Sequence, residues 1–374
     1  MSRQPHPFAF SGPASQPGRF FVADTTMTHF FPNRMALALG LAAALSTLAC
    51  AQAAPAAAAE PTLPYVPYKD VTQGFDATTH VLRSVAGDAP AKPLVAQGLS
   101  QLPARTRQVM WAFASGECGE ETWGPGIDAD RLVAVNAPAF AQAGLRFVVS
   151  TGGEAGVFTC GTEAGMARFA ARYAHPALAG FDFDIEGRQT PQQIDDLVRL
   201  AQQLAQRQPA LQISFTVATL AASDGQAGGV NATGAAVMAA LKKYRFDQAV
   251  VNLMVMNYGP ASTANCVLQA NSQPARCDMG ASGAQAARNL HQRFGWPLSR
   301  IALTGMLGRN DVAENVFSID DARRMQADAS RLGLAGLYVW SLDRDAACAH
   351  DNAPLSPRCH HLPQVPAGAF LALP

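Results

Sequence analysis

Short apolar runs recur along the chain, and most of them are followed by segments with helical periodicity. Near-continuous apolar runs of this kind are typical of parallel strands that are buried on both faces. The predicted strands are a weak candidate near Tyr65–Phe75, then Val109–Ala114, Leu145–Ser150, Gly180–Ile185, Gln212–Ala218, Ala249–Met256, Ile301–Gly305 and Gly336–Trp340. Eight strands that alternate with helices predict an α/β fold, a (β/α)8 TIM barrel in a single domain.

Two of the predicted helices carry clear start and stop signals. Thr190 is followed by Pro191 and Gln193, which together supply an N-cap, a first-turn proline and a capping box. Ser318 opens a second helix, and Gly333 is its expected end. Apolar residues recur at helical spacing in both segments, so one face of each helix is predicted to pack on the barrel.

The N-terminal part of the chain has a different composition. Arg34 precedes the apolar run Met35 to Ala49, and Ala51-Gln52-Ala53 provides a small-residue cleavage site. This order predicts a secretory signal peptide over about residues 27–53 and a secreted or periplasmic protein. The run is too short for a comfortable membrane span, so we expect no stable membrane insertion.

Three segments follow from these patterns. Residues 1–53 are predicted to hold an N-terminal extension and the signal peptide. Residues 54–64 are rich in Ala and Pro, which is typical of a short linker. Residues 65–374 are predicted to form the barrel domain.

Composition and charge exclude some classes of protein. Hydrophobic residues make up 49% of the chain and charged residues 15%, which is far from a disordered composition. Lys+Arg and Asp+Glu each number 28, so the net charge gives no reason to expect nucleic acid as a partner. A neutral polymer would suit this balance. We expect no cofactor and no metal, and we expect a monomer.

Six cysteines remain after the predicted signal peptide. An even number in an exported chain predicts disulfides. Among the roughly 15 possible connectivities, we favour pairs that each close one loop region without crossing the core. These are Cys118–Cys160, Cys266–Cys277 and Cys348–Cys359. A zinc site is the alternative, but no pair has the C-x-x-C spacing that is common among zinc ligands.

The most informative segment reads Gly180-Phe-Asp-Phe-Asp-Ile-Glu-Gly187. Its strict alternation puts Asp182, Asp184 and Glu186 on one face of a strand, about 6.6 Å apart. If the apolar face meets the helices, the three carboxylates point into the barrel. Crowding of like charges then raises at least one pKa, so that a carboxyl can act as a general acid near neutral pH. An edge strand with a solvated acidic face is the alternative.

This segment resembles the D-x-x-D-x-D-x-E signature of glycoside hydrolase family 18, the chitinases. Asp182, Asp184 and Glu186 match its last three acidic positions, and Ala179 stands at the first. Glu186 would lie at the C-terminal end of its strand, where such barrels hold their active sites.

The resemblance extends to other strands between Tyr65 and Asp345. Ser150-Thr-Gly-Gly153 resembles the S-x-G-G motif, and the segment Trp340-Ser341 to Asp345 resembles W-S-x-x-x-D. The sequence Met254-Val-Met-Asn-Tyr-Gly259 is similar to M-x-M-D-Y-G, with Asn257 where Asp is usual. Further loops resemble those of the bacterial chitinase D-like subgroup.

The resemblance implies retaining hydrolysis of β-1,4-linked N-acetylglucosamine without a protein nucleophile. Glu186 would protonate the glycosidic oxygen while the substrate's own acetamido carbonyl attacks the anomeric carbon. Asp184 would hold the acetamido N–H and share a proton with Asp182. Tyr258 would donate its hydroxyl to the acetamido carbonyl. The expected partner is chitin or a chito-oligosaccharide.

Five further residues are candidates for substrate binding. Trp340 is predicted to form an apolar floor under a sugar ring, because aromatic faces suit the C–H faces of sugars. Met256 and Trp123 are predicted to line subsites. Asn310 and Asp311 either contact substrate or stabilise their own loop.

Three functions remain open on the sequence alone. The leading hypothesis is an endo-acting chitinase or a chitooligosaccharidase. The second is an endo-β-N-acetylglucosaminidase that cleaves the core of N-glycans. The third is a non-catalytic lectin on the same barrel, which would be expected to lack one of Glu186, Asp184 and Tyr258.

Overall fold

The computed structural model describes residues 63–226, 228–350 and 354–373. In these residues eight parallel strands close into a barrel, in which each strand pairs with its neighbours in sequence and the last pairs with the first. The strands are β1 Tyr65–Asp70, β2 Gln108–Ala114, β3 Arg146–Gly152, β4 Leu178–Ile185, β5 Gln212–Ala218, β6 Val250–Met254, β7 Ile301–Met306 and β8 Gly336–Trp340. The predicted barrel is confirmed. The predicted signal peptide and residues 54–62 of the linker lie outside the described residues.

Six α-helices surround the barrel in the described part of the chain. They are α1 Ala129–Gln142, α2 Glu163–Arg172, α3 Pro191–Arg207, α4 Ala232–Lys243, α5 Met279–Phe294 and α6 Ile319–Leu332. The α3 and α6 capping boxes form as predicted, and Gly333 ends α6 in the left-handed conformation. None of the described helices is long and apolar enough to cross a membrane.

The regular strand–helix alternation fails at the first connection. Residues 71–107, all of them described, form two short hairpins instead of a helix: Arg83–Ser84 with Lys92–Pro93, and Val95–Ala96 with Leu99–Ser100. Glycines and prolines recur through this segment, and both residue types disfavour a helix interior.

The apolar core has two layers, one between the barrel and the helices and one inside the barrel. Phe181, Phe183 and Ile185 face outward and are buried with the helix side chains. A smaller set fills the barrel interior: Val66, Tyr68, Met110, Ala112, Val148, Ala179, Ala302 and Tyr338. The pairing of β4 with β3 shifts between Leu178 and Gly180, and such a bulge turns an extra side chain inward. Ala179 therefore places a methyl group in the interior layer, where the family signature has an acid.

All three predicted disulfides are confirmed. Cys118–Cys160, Cys266–Cys277 and Cys348–Cys359 have Cα–Cα distances of 4.9, 5.7 and 5.0 Å. Each of them fastens a connection that leaves the C-terminal end of a strand. They therefore limit the freedom of the loops on the barrel face that holds active sites in this fold.

Candidate active site

The acidic side chains of β4 lie inside the barrel and at its C-terminal end. Asp182 and Asp184 are buried, and Glu186 directly follows the last residue of the strand, with part of its side chain exposed. The pleat of the strand therefore orders the carboxyls from the interior outward, as the alternation predicts.

Asp182 accepts hydrogen bonds from four hydroxyls. Ser214 and Thr216 donate to its Oδ1 at 2.6 and 2.8 Å, and Ser150 and Tyr68 donate to its Oδ2 at 2.7 and 3.1 Å. Burial raises the pKa of Asp182, and hydrogen bonds from these hydroxyls oppose that rise. Asp182 is thus held in one orientation at the base of the site.

Asp184 and Tyr258 each present a buried polar atom without a protein partner. Within the described residues, Asp184 Oδ1 accepts no hydrogen bond, and Tyr258 Oη neither donates nor accepts one. Burial raises the pKa of Asp184 well above its usual value, and the charges of Glu186 and Asp182 raise it further. Burial also raises the pKa of Tyr258, which keeps its hydroxyl neutral. Because buried polar atoms are normally paired, these two point to a ligand with a donor and an acceptor.

Glu186 has the electrostatics of a general acid. Its pKa is raised to about 7, first by burial and then by the charges of Glu154 and Asp311, while the charge of Arg188 opposes the rise. The sequence predicted this shift from crowding among the β4 acids alone. The structure assigns it first to burial and then to charges on other loops. A carboxyl of this kind can hold and deliver a proton near neutral pH.

An aromatic surface lies at the same end of the barrel. Trp340 ends β8 and is partly exposed. Its ring stacks on Phe113 with 5.3 Å between ring centroids and 19° between planes, and it meets Tyr68 edge-on at 5.9 Å. A second ring, that of Phe113, thus lies beside the predicted apolar floor at Trp340. The sequence analysis missed it because Phe113 lies within the apolar run of β2 and resembles its other core residues.

Two loops are joined through Asn257. Its Nδ2 donates to Asp311 Oδ2 at 3.1 Å, and its Oδ1 accepts from the backbone N–H of Val312 at 3.0 Å. An aspartate here, as in the family motif, would place two like charges in contact. Asparagine at position 257 avoids this repulsion and donates a hydrogen bond to Asp311 instead.

The predicted substrate contact of Asn310 is wrong. Its side chain is fully buried and donates to the backbone carbonyls of Met306 and Gly308, both at 3.1 Å. Its Oδ1 accepts from the backbone N–H of Asn257. Asn310 therefore stabilises its loop, which is the alternative that the sequence left open. Asp311 is exposed, and its contact with substrate stays a prediction.

The predicted subsite role of Trp123 is also wrong. Its side chain is 1% exposed, and its indole N–H donates to Tyr173 Oη at 2.9 Å. Tyr173 in turn donates to Glu121 Oε1 at 2.9 Å. Trp123 thus belongs to the core behind β4, because Tyr173, at the end of α2, supplies a buried partner that no local pattern reveals. Met256 is partly exposed, and its role stays a prediction.

Polar residues deep in the barrel escaped the sequence analysis. Asn252 on β6 donates to Thr216 at 2.8 Å and to Tyr68 at 3.0 Å, and it accepts from Thr304 at 2.8 Å. The alternation of Ser214 and Thr216 with apolar neighbours was a signal for inward-facing hydroxyls. Two further missed residues, Glu154 and Arg188, lie on loops and gave no such signal.

The two curated proteins described below, which are similar to this chain in sequence, both carry the name chitinase. No model of a known protein family matches the chain. A probable bifunctional chitinase/lysozyme of Escherichia coli (strain K12) is 30% identical over 153 residues, 38% of this chain and 16% of the relative. Endochitinase 11 of Metarhizium anisopliae is 28% identical over 130 residues, 32% of this chain and 24% of the relative. The match thus spans a quarter or less of each relative's length.

Two of the solved structures that resemble this fold are chitinases. The catalytic domain of a hyperthermophilic chitinase from Pyrococcus furiosus superposes with a TM-score of 0.59 at 19% identity, over 83% of this chain and 93% of that one. A family GH18 chitinase from Chromobacterium violaceum gives a TM-score of 0.50 at 16% identity, over 83% and 85%. The chain therefore has the fold of the family 18 chitinases and is similar in sequence to two chitinases, which confirms the resemblance to this family. The bacterial chitinase D-like subgroup stays a prediction.

Proposed function

We propose that the chain is a secreted chitinase that hydrolyses β-1,4 linkages between N-acetylglucosamine units, with Glu186 as general acid and then general base. One observation carries the proposal. Asp184 Oδ1 and Tyr258 Oη are buried and unpartnered in the described structure, at the end of the barrel where Glu186 has a pKa of about 7. An acetamido group offers one N–H donor and one carbonyl acceptor, which these two atoms require.

In the first step Glu186 gives its proton to the glycosidic oxygen as the bond from the anomeric carbon to that oxygen breaks. The acetamido carbonyl oxygen of the same sugar forms the new bond to the anomeric carbon, and an oxazolinium ion results. Asp184 accepts the acetamido N–H and stabilises the developing positive charge, while Tyr258 orients the carbonyl oxygen. The nucleophile is part of the substrate, so its attack is intramolecular and efficient.

In the second step water attacks the anomeric carbon from the side that the leaving group has vacated. Glu186, now ionised, accepts the proton of that water, and the bond to the acetamido oxygen breaks. Two inversions at the anomeric carbon give retention of configuration. Glu186 regains its proton and is ready for another cycle.

Asp182 has a positioning role in this account. Its four hydroxyl partners fix it beneath Asp184, and its charge is one cause of the raised pKa of Asp184. Proton sharing between the two acids, which the family resemblance implies, is part of the proposal. Within the described residues, hydroxyl groups donate the hydrogen bonds to its carboxylate.

Two features support the substrate class and the compartment. The partly exposed rings of Trp340 and Phe113 offer an apolar surface to a sugar ring. Three disulfides are typical of proteins from oxidising compartments, which supports secretion or a periplasmic location.

Product analysis by mass spectrometry tests the proposal with three substrates: chitohexaose, its fully deacetylated glucosamine hexamer, and an N-glycopeptide. We expect cleavage of chitohexaose and none of the glucosamine hexamer, because the latter lacks the internal nucleophile. Cleavage of the glycopeptide alone would replace the chitinase by an endo-β-N-acetylglucosaminidase. Binding of chitohexaose without turnover would indicate a lectin. Equal cleavage of both hexamers would exclude the substrate-assisted mechanism.

A further inference from the structure

The loop after β3 lies directly against the end of β4. Gly152 and Gly153 both have positive φ angles, +87° and +74°. The backbone N–H of Gly153 donates to the carbonyl oxygen of Asp184 at 3.3 Å. Because neither glycine carries a Cβ, the two backbones approach closely, and the next residue, Glu154, is delivered to the side of Glu186.

Arg188 fastens this loop to the loop after β4. Its guanidinium donates to the backbone carbonyl oxygen of Glu154 and, at 3.4 Å, to that of Ala155. A cavity of about 130 Å³ lies between the two loops, and Glu154, Glu186 and Arg188 all line it. Two carboxyls thus share one small polar cavity beside the site.

We propose that Glu154 is a positioning residue that acts through Glu186: its negative charge, held across the shared cavity by the Arg188 clamp, favours the protonated form of the acid. The proposal rests on the function proposed above, in which Glu186 is the proton donor. Glu154 itself touches no reacting atom in this account. Its contribution is to keep Glu186 protonated until the substrate binds.

The charges around Glu186 agree with this role. After burial, the largest cause of its raised pKa is the charge of Glu154, and Arg188 is the largest opposing cause. Asp311, on the loop after β7, adds a smaller rise. On β4 itself, the charge of Glu186 is one of the causes that raise the pKa of Asp184. A change of charge at Glu154 and one at Arg188 should therefore move the titration of Glu186 in opposite directions.

The test is a carbon-13 NMR titration of the full chain labelled at the glutamate side-chain carboxyl, with the Glu186 signal assigned by its loss in Glu186→Gln. Glu154→Gln should lower the Glu186 midpoint by roughly half a pH unit, and Arg188→Gln should raise it. Glu163→Gln, the same change of charge at an exposed position in the first turn of α2, is the matched control and should leave the midpoint unchanged. The Glu154→Gln shift should shrink in 1 M salt, because exposed charges are screened.

An unchanged midpoint in Glu154→Gln would overturn the proposal. So would a shift in the same direction in Glu154→Gln and Arg188→Gln, because that would indicate that both changes only loosen the loop. The titration needs no turnover, so it is independent of the substrate. If the shifts appear but chitohexaose is not cleaved, the charge relationship stands and the proposed function fails.

Discussion

Gly152 lies opposite Asp184 in the parallel pairing of β3 and β4, and a Cβ on Gly152 would be 2.1 Å from the carbonyl oxygen of Asp184. No side chain fits at that distance. The S-x-G-G motif thus has a physical reason in this chain: it lets the end of β3 lie flat against the strand that carries the acids. The position of Asp184 depends on a residue that contributes no functional group.

Gly152→Ala should destabilise the protein by more than about 3 kcal/mol, because it combines a strained positive φ with a backbone clash. Gly144→Ala is the matched control at the other end of β3. Gly144 also has a positive φ, +69°, but a Cβ there would meet nothing within 4 Å. Its cost should be about 1 kcal/mol. Urea denaturation measures both, and equal losses would show that the close approach to Asp184 does not matter.

Tyr258→Phe should separate activity from stability. The hydroxyl of Tyr258 is buried without a protein partner, so its removal should leave the free energy of unfolding unchanged or slightly higher. The rate of chitohexaose cleavage should fall at least ~10-fold, since the acetamido carbonyl loses its donor.

Tyr68→Phe is the matched comparison for that variant. The Tyr68 hydroxyl donates to Asp182 and accepts from Asn252, so its loss should cost about 1–3 kcal/mol of stability. Thermal denaturation measures the stability of the two variants, and steady-state kinetics on chitohexaose measures their activity. A loss of stability in Tyr258→Phe as large as that in Tyr68→Phe would argue against a ligand-binding role for Tyr258.

Asp184→Asn should stabilise the protein while it lowers activity. The pKa of Asp184 is raised in the folded state, so its contribution to stability is complete below the unfolded pKa and is lost as the pH rises through the folded value. The amide does not titrate, so the advantage of the variant should grow with pH. Chitohexaose turnover should fall ~10²-fold or more. The free energies of unfolding of the variant and the wild-type chain, measured at pH 5 and pH 8, test this. The same difference between the two proteins at both pH values would contradict the prediction.

Local patterns predicted the parts of the fold and site that depend on periodicity. The eight strands follow from apolar runs, and the inward order of Asp182, Asp184 and Glu186 follows from strict alternation. The capping signals of Thr190 and Ser318 act within one turn of helix. Each of these can be predicted from a few consecutive residues.

Partners that are distant in sequence could not be predicted in this way. Trp123 was predicted to line a subsite, but it lies in the core, where Tyr173, fifty residues later in the chain, accepts its hydrogen bond. For Asn310 the sequence left substrate contact and loop stabilisation both open, because the backbone carbonyls that accept its hydrogen bonds carry no sequence signal. The hairpins at residues 71–107 replace a helix that the repeating alternation had implied.

The pH dependence of kcat/KM on chitohexaose should report the titration of Glu186. The acid must be protonated to donate, and its pKa is about 7, so the rate should fall tenfold per pH unit well above pH 7. A profile that stays flat to pH 9 would show that no group with this pKa delivers the proton. Protein folding across the range should be checked by circular dichroism.

In the proposed mechanism, Glu186 gives the proton that breaks the glycosidic bond. The rate of chitohexaose cleavage by Glu186→Gln, beside the wild-type chain at its pH optimum, tests this most directly. We expect a fall of at least ~10²-fold with the affinity for the oligosaccharide retained, because glutamine cannot donate a proton as a general acid. A rate close to that of the wild type would contradict it.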